Sequence, residues 1–136
     1  MPMNRSAVAL MTVAAALMTV AVAAPVAAHH SFAMFDITKS VILKGTIKDV
    51  HWSNPHVWID IGVVTPGKPP VMWGIEAGAT NTLSRQGWKR DSLKPGDTVT
   101  LEVHPMRNGS NSGSMMKATL ADGTVLTLGA QGAKPS

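Results

Sequence analysis

The sequence predicts a small, mainly β domain: an OB-like antiparallel β-barrel of five to six strands, with one short helix between strands three and four. Three observations predict it. Short runs of alternating apolar and polar residues recur between positions 40 and 128, the period of half-buried strands. Turn-forming residues separate the runs, at Ser53-Asn54-Pro55, at the Pro- and Gly-rich stretch 65–70, at Lys94-Pro95-Gly96-Asp97 and at Asp122-Gly123. After the third run the period is lost over residues 79–86, and a helix is the simplest reading there. A sandwich of immunoglobulin type would need about seven strands and no helix.

The barrel is expected over residues 40–129, after an N-terminal arm at 29–39 and before a flexible tail at 130–136. The first strand covers residues 40–50, where Val41, Leu43, Gly45 and Ile47 share a face. Gly45 in mid-strand predicts a tight bend, and a slip of phase near Asp49 predicts a bulge. The second strand covers 56–64, with Val57, Ile59, Ile61 and Val63 on one face and His56, Trp58 and Asp60 on the other. The third covers 71–76, with Val71, Trp73 and Ile75 inward. Thr80 or Asn81 is the expected helix N-cap and Gly87 the C-terminal cap. Trp88 and Leu93 are expected to cover the barrel end. The fourth strand covers 98–104, with Val99, Leu101 and Val103 inward. Residues 108–113 (NGSNSG) read as a flexible loop, 115–120 as the fifth strand, and 124–128 as the return limb of an Asp-Gly hairpin.

Residues 1–28 have a different character. Arg5 precedes an almost unbroken, uncharged run of Ala, Val, Leu and Met over 7–22, Pro25 breaks it, and Val26-Ala27-Ala28 offers a signal-peptidase site. This is the layout of a signal peptide cut after Ala28. The run is short for a membrane span of roughly 20 residues. The expected location is periplasmic or secreted, with no membrane span after cleavage. There is no cysteine, so thiolate zinc sites and cysteine catalysis are excluded, and the fold must rely on its core rather than on disulfides. Lys39, Lys44, Lys48, Lys68, Arg85, Lys89, Arg90 and Lys94 are scattered and only Lys89-Arg90 are adjacent among them, so the basic stripe of a nucleic-acid binder is lacking.

The motifs AHHSFAMFD, KGTIKDVHWSNPHVWID, WGIEAG, LSRQGWKRDSLKPGDTVTL and LADGTVL together resemble the bacterial domain-of-unknown-function family 6152. The match covers nearly all of the chain after residue 28, and its combination of HHSF, W-x-NPH and GW-x-RDSLKPGD is specific. The resemblance implies an exported β-rich domain without an assigned activity.

Histidine is the main candidate for chemistry. Cleavage after Ala28 would make His29 the first residue, so its α-amine and imidazole could bind one metal ion together, with His30 as neighbour or substitute. A third nitrogen from His56 would complete a site suited to Cu(II). His51 and His104 are alternatives to His56; the bland reading is a solvated arm and a histidine that bonds the corner. Met34, Met72, Met106, Met115 and Met116 read as core filling rather than as a Cu(I) site. Trp58, Asp60 and Trp52 form the expected ligand face. Three function classes result. The leading one is an exported binding or accessory module without catalytic activity, holding copper through His29. The second is an envelope interaction protein that contacts a partner protein through the Trp58 face. The third is a small hydrolase or isomerase using His56 with Glu76 or Asp60. No nucleophile elbow, zincin, P-loop or dinucleotide motif is present.

Overall fold

The structure is a computed structural model that describes residues 33–129. The segment expected to be a signal peptide, the arm residues 29–32 and the tail 130–136 lie outside the described residues. The elements in order are β1 (Val41–His51), β2 (Trp58–Thr65), β3 (Lys68–Glu76), α1 (Thr80–Arg85), β4 (Thr98–Pro105), β5 (Ser112–Leu120) and β6 (Val125–Thr127). The sheet order is β3-β2-β1-β4-β5-β6, and a pairing between β3 and β5 closes it. That closing pairing is parallel, and the others are antiparallel. The result is the expected barrel of five strands, with β6 added to β5 and one short helix between β3 and β4.

Alternation fills the interior as the sequence predicts. Val57, Ile59, Ile61, Val99, Leu101 and Val103 are all buried, joined by Leu43, Ile47, Ile75, Leu83 and Met115. Burying each such side chain contributes roughly 1.5–3 kcal/mol. Trp88 and Leu93 are buried too, and Trp88 donates its indole N–H to the carbonyl of Thr127 at 3.2 Å.

β1 serves both halves of the barrel. Its first half pairs with β4 and its second half with β2, Gly45 and Thr46 pairing with both. At Gly45 the backbones come so close that a Cβ would strike the carbonyl of Gly62. Only glycine allows this bend. An irregularity in the pairing lies between Ile47 and Asp49, just before the position the sequence suggests. Past it, Asp49 and His51 stand opposite Asp60 and Trp58. The turn at 94–97 has its expected bond, Asp97 N–H to Lys94 carbonyl at 3.0 Å, and it is stitched to Ile47 by two more backbone bonds of 2.9 Å.

Three expectations are corrected. β3 begins at Lys68, so the turn shrinks to Pro66-Gly67, and Val71 is exposed rather than inward. Pro69 and Pro70 sit where the β2–β3 register is irregular, between Val63 and Thr65, so their missing N–H groups are tolerated. β5 joins β3 only at Gly74, Ile75 and Glu76, and the first half of β3 projects past the closed wall. β5 itself begins at Ser112, inside the stretch expected to be a loop, and Ser112 to Ser114 form the closing contact.

The third correction concerns the helix start. Thr80 is already helical, the N-cap is Ala79, and no side chain of the cap itself bonds the helix end. Asn54 supplies the bond from the β1–β2 corner: its Oδ1 accepts from the Thr80 N–H (3.2 Å) and the Thr80 hydroxyl (2.9 Å). The same corner is tied by Val57 N–H to Gly78 carbonyl (3.0 Å) and Ala77 N–H to Val57 carbonyl (2.8 Å). The Asn54–Pro55 peptide is cis. The helix ends as expected at Gly87, whose φ of 89° suits glycine. Gly87 N–H bonds Ser84 and Trp88 N–H bonds Leu83, the paired pattern of a Schellman motif.

The described part of the arm is held at the end of β4. Phe35 is buried and pairs with Met106, Asp36 N–H donates to Pro105 (2.8 Å), and Arg107 N–H donates to Met34 (2.9 Å). Among the described residues, the arm's backbone bonds go there and not to the Asn54–His56 corner, to which a metal site joining His29 and His56 would draw Phe35. No described helix is long and apolar enough to cross a membrane.

Two outcomes follow from the packing. Gly45→Ala is expected to cost about 1–3 kcal/mol, because backbone on both sides must move. Gly62→Ala meets only the flexible end of Lys48, whose Cε would be 2.9 Å away, and is expected to cost much less. Urea unfolding of the two variants checks this, and equal losses would show that the close approach is not limiting. Asn54→Ala is expected to cost about 1 kcal/mol through loss of the helix cap, read as a lower urea midpoint. No change of midpoint would mean that Thr80 is satisfied without Asn54.

Candidate functional site

The outer face of β1, β2 and β3 carries the polar residues that the alternation turns away from the core. Cross-strand pairing sets His51, Trp58 and Glu76 in one row and Asp49, Asp60 and Gly74 in the next. His56 stands just before β2, and its Nδ1 lies 3.1 Å from Oε1 of Glu76. Glu76 is the more enclosed of the two, with its side chain 14% exposed against 38% for His56. Burial pushes the Glu76 carboxyl above its usual range, and the neighbouring His56 opposes that rise. A carboxylate that receives Nδ1–H holds the neutral imidazole in one tautomer and leaves the lone pair on Nε2.

Asp60 is not a partner of His56. It lies beside His51, whose Nε2 is 3.7 Å from Asp60 Oδ2 and 3.3 Å from Asp49 Oδ2. Of the two carboxylates considered for His56, Glu76 is therefore the one at hydrogen-bond distance. The irregularity in β1 produces the other group, since it turns Asp49 and His51 toward the same face as Asp60.

Trp58 is 36% exposed and lies over Gly74, where a Cβ would come within 2.9 Å of its ring. Gly74 is thus the flat seat of the indole. Trp52 is half-buried and packs against the core, and its carbonyl lies 3.4 Å from Nη2 of Arg90. Of the three residues of the expected ligand face, Trp58 and Asp60 stand on the outer face and Trp52 packs against the core. His29 and His30 lie outside the described residues. Among the described residues, no three His, Asp or Glu side chains are arranged to hold a metal ion.

A pocket of about 470 Å³ lies elsewhere, on the outside of β4 and β5. Phe35 and Ile37 of the arm form one wall, and Thr127, Leu128 and Gly129 form the other. Met116 lines it from β5, while Met115 pairs with the inward Val103, is buried in the barrel core and only borders the floor. The register shifts here: Glu102 pairs with Lys117 but Val103 with Met115, leaving Met116 as the extra residue. Such a bulge re-aims side chains. Sequence reasoning missed this pocket; the adjacent Met115-Met116 pair was its one visible sign.

Comparison with curated proteins and with solved structures finds no match. A family model does match, over residues 16–116, which is most of the chain and includes the His56 corner, the helix and all of β4. The protein therefore belongs to the family described as "Family of unknown function (DUF6152)".

Proposed function

We propose that the protein is a non-catalytic binding module exported to the bacterial envelope, and that it binds copper through His56 together with His29 at the start of the processed chain. The observation that carries this reading is the His56–Glu76 pair. Histidines that ligate metals usually donate their other ring N–H to a carboxylate or carbonyl, which fixes the ring and raises its basicity. Here Nδ1 engages the enclosed Glu76, and the ring is partly open to solvent. The α-amine and imidazole of His29 would add two nitrogens, a donor set that suits Cu(II). His30 is a neighbour or a substitute in this arrangement.

The same pair is what a general base would need, so the hydrolase or isomerase reading shares this support. The described 470 Å³ pocket, however, is lined by neither His56 nor Glu76, which favours binding over turnover at His56. An envelope partner docking on Trp58 draws support from the exposure of that ring over Gly74.

Cu(II) titration tests the proposal, using protein that begins at His29, the same protein with one added N-terminal residue, His56→Ala and Glu76→Gln. Affinity is expected to fall strongly in the extended protein and in His56→Ala. Glu76→Gln is expected to lose about 10–100-fold, the usual effect of removing a carboxylate behind a ligating histidine. Affinity should also fall as the solution is acidified, because protonated imidazole does not ligate. Equal affinity in all four proteins would overturn the site.

A further inference from the structure

The pocket on β4 and β5 shares no residue with the proposed copper site, and both its walls are fastened. On one side the Phe35–Met106 bridge and the Asp36–Pro105 bond hold the arm. The Asp36 carboxylate accepts from the Thr38 hydroxyl (2.6 Å) and N–H (3.2 Å) and lies 3.2 Å from the Lys39 ammonium, which keeps Ile37 in a closed turn. These bonds lower the Asp36 pKa to about 2, so the turn stays intact at neutral pH. On the other side Leu128 N–H donates to Met116 (2.9 Å), and the Trp88 indole holds Thr127. A site walled in this way is largely pre-formed, and its volume lies within the roughly 300–1,000 Å³ of small-molecule pockets.

The lining selects a chemistry. Phe35, Ile37, Met115, Met116 and Leu128 are apolar, and thioethers make favourable contacts with aromatic rings. The two charged lining residues cancel: Lys117 Nζ lies 2.9 Å from Glu102 Oε2, and Ser40 donates to Glu102 Oε1 at 2.9 Å. A charged ligand would find no uncompensated partner there. His104 also lines the pocket, with its Nδ1 2.7 Å from the Lys39 carbonyl. A carbonyl only accepts, so Nδ1 carries a proton, and in the neutral ring Nε2 is then an acceptor. We propose that this pocket is a second binding site, for a small neutral aromatic molecule that carries one hydrogen-bond donor, such as a phenolic hydroxyl, directed at His104.

The test is a titration of the full described domain with its native tail by three probes of one shape: 2-naphthol, naphthalene and naphthalene-2-carboxylate. Binding is followed by calorimetry and by the methyl NMR signals of Met115 and Met116. 2-Naphthol is expected to bind with shifts centred on the Met116 methyl. Naphthalene should bind about 3–10-fold more weakly, the value of one neutral hydrogen bond. The carboxylate should not bind. Thr127→Trp, at an exposed position on the rim, should block 2-naphthol without unfolding the barrel. His104→Leu should bring 2-naphthol down to the affinity of naphthalene while naphthalene itself still binds. Equal binding of the three probes, or shifts that ignore Thr127→Trp, would overturn the proposal. So would binding of 2-naphthol only after removal of residues 130–136, since the pocket would then belong to the chain's own end. Loss of copper binding in His56→Ala bears on none of these outcomes.

Discussion

The barrel depends on how sharply β1 can turn. One strand must pair with β4 over its first half and with β2 over its second, and at Gly45 the crossing leaves no room for a side chain. That contact sets the curvature which brings β3 round to β5. The closing seam is short, three residue pairs from Gly74–Ser112 to Glu76–Ser114. A seam of that length holds because the interior behind it is filled by Ile75, Met115 and Val103, not because its own bonds are many.

The polar features of the surface are consequences of the same wall. After the irregularity that follows Ile47, β1 presents Asp49 and His51 outward, against Asp60 and Trp58. At the seam, Glu76 is drawn into partial burial beside Ser114 and meets His56 from the corner. The bulge at Met116 lies on the far strand and makes the apolar pocket. Two departures from regular pairing, one near Lys48 and one at Met116, therefore separate a histidine–carboxylate face from an apolar recess. Both kinds of departure are local, yet each decides which chemistry its side of the barrel displays.

Much of the wall was legible in the sequence because apolar residues mark it. Val57, Ile59 and Ile61, and Val99, Leu101 and Val103, alternate without interruption, and all are buried. Ser112 and Gly113 carry no apolar signal, so the start of β5 read as loop although it closes the barrel. Pro69 and Pro70 hid the start of β3, since proline is read as a strand breaker and here occupies an irregular edge. The role of Asn54 was invisible for another reason: its partner Thr80 is 26 residues away, and no local pattern reports a cap supplied from a distance. The His56–Glu76 pair was among the alternatives considered, but choosing Glu76 over Asp60 required the cross-strand register. The pocket combines the arm, β4, β5 and β6, and only the fold brings these together.

The bond from Asn54 to α1 bears on motion as well as on stability. A helix of six residues is far too short to persist alone in water. Its order is borrowed from Leu83 in the core and from the corner that holds its first turn. Corner and helix are therefore expected to open together, so that amide exchange in the two rises and falls together. His56 lies two residues from Asn54, within that corner. A ligand that steadied the imidazole would then steady the helix in the same act, and with it the seat of Leu83 in the core.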